Sequence, residues 1–200
     1  MPTPAQPEHL AINGMSYHAR NSGFANAAVV VNVLREDFYR SHPLDGMHFQ
    51  AKLEQRAFKR GGGDYFSPAQ GLRDFVAGRE TKGSLKSTYK PGVRSERLDT
   101  LLPEFVSNSL KVALQSYDQR MRGYLSDSAL VVGLESKTSA PVTLLRGKDQ
   151  QSVSHVGLFP CGEGAGFAGG IVSAALDGVR TGRAVVNDLI ENKKLTVHVN

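Results

Sequence analysis

One cysteine, Cys161, stands in 200 residues. An internal disulfide is therefore excluded, and the chain fits a reducing compartment. No apolar run approaches the roughly 18–20 residues of a membrane-spanning helix. The opening Met1-Pro2-Thr3-Pro4-Ala5-Gln6-Pro7 has no charged, apolar signal pattern, so a cytoplasmic location and no membrane partner are expected. Formal net charge is +5, but Lys and Arg are scattered and form no long run. That argues against a nucleic-acid arm and leaves a mild attraction to anionic cofactors or substrates. His9, His42, His48, His155 and His198 show no metal-ligand spacing, so no metal site is expected. A Gly-x-Ser-x-Gly elbow and internal repeats are also lacking.

What the chain does have is glycine, concentrated in one place. Val156 to Pro160 is a short apolar run that predicts a buried strand. Glycines crowd the segment Gly162 to Gly170, and Ile171 to Ile190 then has helical periodicity. Ala168, Ile171, Val172, Ala175, Val179, Val186, Leu189 and Ile190 recur at spacings suited to one apolar helix face. Strand, glycine turn and helix together bring backbone N–H groups up to a phosphate or cofactor edge. Gly164-x-Gly166-x-x-Gly169 also fits the dinucleotide fingerprint. That fingerprint needs a βαβ unit with an acidic residue after the next strand. The next candidate strand, Leu195 to Val199, ends at Asn200, so a complete nucleotide domain of that type cannot be built here.

Elsewhere the pattern predicts a mixed α/β chain. Ala27 to Leu34 reads as a core strand buried on both faces. Leu44 to Arg60 reads as a helix that Asp45 could cap and Gly61-Gly62-Gly63 stops. Ser67-Pro68 is expected to open a second helix running to Val76, and Pro103 to mark the first turn of a helix within Leu98 to Tyr124. Gly78 to Arg94 reads as an exposed loop. Ser128 to Glu135 and Pro141 to Leu145 read as further strands.

Several blocks, in order, resemble one family. They are Asn13-Gly14-Met15-Ser16-Tyr17-His18-Ala19-Arg20, Gly61-Gly62-Gly63-Asp64-Tyr65, Pro68-Ala69-Gln70, Tyr89-Lys90-Pro91-Gly92, Leu101-Leu102-Pro103, Glu135 to Val142, and Gly157 through Ile171. Across residues ~13 to ~190 the chain is similar to the bacterial uncharacterised FAD-dependent dehydrogenases, kin to the two-domain flavoproteins. The resemblance implies an inserted substrate-type domain plus a C-terminal strand–glycine turn–helix remnant of the FAD-binding domain. The boundaries it suggests are a tail or severed linker at 1–12, a substrate or cap domain at 13–150, an FAD-domain segment at 151–192 and a tail at 193–200. Family members carry an N-terminal strand–GxGxxG–helix unit for the ADP half of FAD, which is missing before Gly14. The chain therefore resembles a C-terminal portion, expected to bind FAD weakly or not at all alone.

The resemblance implies cofactor contacts from Gly162, Glu163, Gly164, Ala165, Gly166, Phe167, Ala168, Gly169, Gly170 and Ile171. Glu163 would meet the ribityl–phosphate part of FAD; its bland alternative is a solvated loop carboxylate. His18 and Arg20 would meet substrate or the flavin edge, or are simply polar loop residues. Lys137, Thr138 and Ser139 would face the cofactor, or form a surface turn. Tyr89 and Lys90 either close over a substrate or lie in an exposed loop. Cys161 reads as a small apolar residue at a strand end rather than a redox thiol. The implied partners are FAD, a small-molecule substrate, and either the missing N-terminal half or a second copy. Two further readings stay open: a non-catalytic binding module, and a nucleotide-binding protein using Gly164–Gly169.

Overall fold

The computed structural model describes residues 1–3 and 5–191. It is a mixed α/β chain with six helices and one small three-stranded sheet among the described residues. The chain divides after Ser136 into two compact units, rather than near residue 150.

The first unit is built on strand β1 (Ser67–Gly71), every residue of which is buried. β1 lies between β2 (Val93–Ser95), parallel to it, and β3 (Leu130–Val132), antiparallel. Ala69 pairs with Ser95 on one side and Val132 on the other. The expected helix from Ser67 is thus a strand first. The helix, α3 (Leu72–Ala77), begins only after Gly71. Pairing on both edges satisfies the backbone of Ser67–Gly71, a tertiary gain that outweighs the local Ser-Pro helix signal. Gly78 then ends α3 in the left-handed region, φ 67°, where glycine carries no Cβ penalty.

Gln70 shows why the centre of this sheet is not simply apolar. Its side chain is fully buried. The Oε1 accepts the Leu98 N–H at 2.8 Å, and the Nε2 donates to the Arg79 carbonyl at 2.8 Å. One amide thereby satisfies backbone groups of two segments distant in sequence, the start of the helix at Leu98 and the loop at Arg79. Leu98 opens α4 (Leu98–Leu101), and Pro103 caps α5 (Glu104–Arg120). The single helix expected over Leu98–Tyr124 is split there, because proline stands at the N-cap with extended backbone. Phe75, Leu98, Leu101, Leu110 and Leu114 form the heart of the core.

Helix α2 (Asp45–Arg60) forms as its periodicity predicts and turns Leu53, Ala57 and Phe58 to the core. Met47, near the start of the helix, is exposed. Asp45 turns its carboxylate backward, accepting the N–H groups of Arg40, Ser41 and His42 at 2.8–3.0 Å. It is preceded by the short α1 (Arg35–Phe38).

Three further expectations fail in this unit. Residues 1–12 are not a tail: Leu10, Ala11 and Ile12 are buried, and Pro2 and Ile12 form a bridge. The Leu10 N–H donates to the Glu54 carbonyl and the Ile12 N–H to the Leu134 carbonyl. The prolines signalled a linker, but three consecutive small and apolar residues found a place in the core. Ala27–Leu34 forms no strand; Val29 and Val31 pack half-buried against the core while Val30 and Val33 stay exposed. A β-branched run has high strand propensity, but without a pairing partner it makes no ladder. Tyr89 is buried rather than in an exposed loop, with its hydroxyl donating to the Tyr65 carbonyl at 3.2 Å. Burial pushes its phenol pKa up.

Leu10→Ala is expected to destabilise the chain by about 2–5 kcal/mol, the range for a truncated buried leucine. Denaturant unfolding checks this. A loss below about 0.5 kcal/mol, typical of surface positions, would return the N-terminal segment to the status of a tail.

Candidate functional site

The second unit holds the glycine segment. Its principal regular element is helix α6 (Ile171–Glu191), in close accord with the periodicity. The candidate strand Leu195–Val199 lies outside the described residues. The helix faces the opposite way from an ordinary amphipathic helix. Asp177 and Thr181 are its buried residues, whereas Ile171 is 92% exposed and Val172, Leu176, Val179, Val186 and Ile190 are exposed too.

The run before the glycines is not a strand. Val156 is 97% exposed, and Val156–Pro160 is turn and irregular backbone. Pro141–Leu145 forms no strand either. These short apolar stretches have no neighbouring ladder within the described residues, so nothing draws them into a sheet. Cys161 is accordingly an exposed loop residue, not one packed at a strand end. The strand that the Gly164–Gly169 fingerprint requires is therefore lacking among the described residues, and the direct nucleotide-binding reading loses its structural context.

The turn itself is well built. Gly162 and Gly166 sit at positive φ, 73° and 82°, where a side chain would be strained. A Cβ on Gly166 would also collide with the Val142 carbonyl oxygen and with Thr143. Inside the turn, the Gly166 N–H donates to the Glu163 carbonyl at 2.9 Å and the Phe167 N–H to the Gly162 carbonyl at 3.1 Å. The Leu144 N–H donates to the Ala165 carbonyl at 3.0 Å.

Two residues that sequence reasoning missed hold this turn to α6. The Arg146 guanidinium donates to both carboxylate oxygens of Asp177, at 2.6 and 3.0 Å. It also donates to the Pro160 carbonyl at 2.8 Å, and its Cζ lies 3.6 Å from the centre of the Phe167 ring. Asp177 in turn accepts the Gly162 N–H at 2.8 Å. The two side chains are only 10% and 8% exposed. The Arg146 fork and the Gly162 amide hold the Asp177 carboxyl down at about 2, against 3.8 ordinarily. The one sequence clue was the pair Asp177 and Thr181, polar residues one turn apart on the same helix.

Of the expected contact residues, Gly162 through Gly170 form the turn and Ile171 begins α6. Glu163 is half-buried and Ala165 buried. Lys137, Thr138 and Ser139 are exposed where the second unit begins. His18 and Arg20 are exposed residues of the first unit.

The turn meets one test of fitness for a flavin. A Cβ built on Gly162, Gly164 or Gly169 would meet no atom within 4 Å. The backbone there is a bare surface, open to a flat ring or a polyol chain, with N–H groups and one carboxylate at hand.

The family model described as "FAD-dependent protein, C-terminal domain-like" matches residues 1–138, almost all within the first unit. An uncharacterised protein of Clostridium beijerinckii (strain ATCC 51743 / NCIMB 8052) is 45% identical over 179 residues, covering 88% of this chain and 34% of its own. The chain thus spans about a third of that relative. No helix among the described residues is long and apolar enough to cross a membrane.

Because the Asp177 carboxyl is lowered in the folded chain, its contribution to stability is fully present above pH 3.8 and is lost as pH falls through about 2. Acid unfolding of the wild type should therefore steepen between pH 4 and 2. Asp177→Asn should be less stable at neutral pH and lose less over that interval. Parallel acid curves for the two proteins would show that the ion pair is not formed in solution.

Proposed function

From its place in the FAD-dependent protein C-terminal domain-like family, to which this chain belongs, we propose that it forms part of an FAD-dependent dehydrogenase acting on a small molecule. The family match carries this reading. In it, the first unit serves the substrate side, and residues 151–192 belong to the FAD-binding domain of a longer protein.

Two features of the second unit support that assignment. The first is the bare glycine face, where Glu163 would accept a hydrogen bond from a ribityl hydroxyl and the amides from Gly164 to Gly170 other than those of Gly166 and Phe167, which bond within the turn, would line the cofactor. The second is the outer stripe of α6. Val172, Leu176, Val179, Val186 and Ile190 follow at spacings of four, three, seven and four residues, and each is at least 50% exposed. Such a face is costly in water. The curated relative extends well beyond the matched residues, and the occupant we assign to the stripe is that additional part of the longer protein.

Bound flavin would supply the hydride-accepting atom of the reaction. The contribution of this chain would be orientation: glycines that let the cofactor approach the backbone, and a helix N-terminus whose dipole favours negative charge nearby. His18, Arg20, Lys137, Thr138 and Ser139 remain candidates for substrate or flavin-edge contact.

Titration of the purified chain with FAD should give binding weaker than about 1 μM, since half a site loses both contacts and pre-organisation. In a full-length flavoprotein of this family, replacing the residue aligned with Glu163 by Ala should weaken flavin binding roughly tenfold or more, a charge-assisted contact of about 1.5–3 kcal/mol. Gly169→Val in that setting should purify folded but colourless. In this chain the space beside Gly169 is open, so the folded state tolerates the side chain and only the cofactor is displaced. Full flavin retention by both variants, read from absorbance near 450 nm, would make the stretch a packing turn.

A further inference from the structure

We propose that Arg146, acting through Asp177, is the positioning residue of the glycine turn, holding Gly162 to Phe167 in the shape that receives the cofactor. This rests on the flavin reading given above.

The two hydrogen bonds within the turn fix its internal shape but not its attitude to α6. The glycines provide no side chains to do so; Gly162, Gly164 and Gly169 would have open space even where a Cβ would be. The attitude must come from tethers at the ends. Arg146 provides one at the Pro160 carbonyl and another beneath the Phe167 ring, and through Asp177 it fixes the Gly162 N–H. A fourth point comes from the Leu144 bond to the Ala165 carbonyl. The longest stretch between neighbouring tethers is the pair Glu163 and Gly164.

Directionality distinguishes this device from ordinary packing. An apolar pair of similar volume could fill the same space and be equally stable. It could not align a carbonyl, an amide and an aromatic ring about one planar fork. A turn ordered before its ligand arrives pays no ordering entropy on binding. Asp177 and Thr181, buried on the helix face opposite the apolar stripe, are the anchor; Thr181 Oγ1 lies 3.4 Å from the same guanidinium nitrogen.

The test uses the whole chain as wild type, Arg146→Lys and Asp177→Asn. Lysine keeps the charge but loses the fork; Asn keeps the shape but loses the charge. Amide hydrogen exchange is read residue by residue, and FAD is added to millimolar concentration while the Glu163 and Gly164 amide shifts are followed. The expected result is at least tenfold faster exchange at Gly162 to Phe167 in both variants, with the α6 and first-unit amides unchanged. The FAD concentration needed to shift Glu163 and Gly164 should rise about tenfold. Unchanged exchange and an unchanged titration would overturn the proposal. Exchange accelerated equally along α6 would overturn it as well, since the pair would then only stabilise the unit. If FAD leaves the wild-type turn amides unmoved while the variants still loosen the turn, the flavin reading fails and the ordering role stands.

Discussion

The ion pair between Arg146 and Asp177 is the interaction on which the second unit depends. Two charges have been taken almost entirely out of water, a cost that only excellent geometry offsets. Here the geometry is a bidentate fork, with the remaining acceptor and donor capacity used by a glycine amide, a peptide carbonyl and a threonine hydroxyl. The consequence reaches the whole glycine turn. Segments so poor in side chains cannot pack themselves, and without an external tether they would sample many conformations.

The first unit solves a related problem with a neutral group. Its central strand is buried on every residue, so each polar atom there needs a partner inside the protein. Gln70 meets that demand with one side-chain amide, joining β1 to the start of α4 and to the loop after α3. The N-terminal segment completes the same core through Leu10, Ala11 and Ile12. Both units therefore rest on one buried polar hub surrounded by otherwise ordinary packing, and in both the hub joins segments distant in sequence.

This division bears on function. Family membership rests on residues 1–138, whereas the features we assign to the flavin lie beyond them, in the glycine turn and at the start of α6. The first unit connects the chain to FAD-dependent proteins; the second offers the bare backbone and the exposed apolar stripe expected of a piece seated in something larger. An apolar helix face turned to water is costly unless covered.

Local pattern alone determined a good deal. Helices α2 and α6 follow from 3.6-residue periodicity, the glycine turn from its composition, and the blocks from Asn13 to Ile171 from their resemblance to FAD-dependent proteins. These are properties of short contiguous segments, which fix their own hydrogen bonds or their own backbone freedom. Tertiary structure decided the rest. Ser67–Gly71 became a strand because two others flank it, while Ala27–Leu34 and Val156–Pro160, better strand formers by composition, found no ladder. Arg146 and Asp177 lie 31 residues apart, and nothing in the spacing announces their pairing. Strand partners and buried ion pairs are contacts between distant segments, and only the folded chain brings those segments within reach of each other.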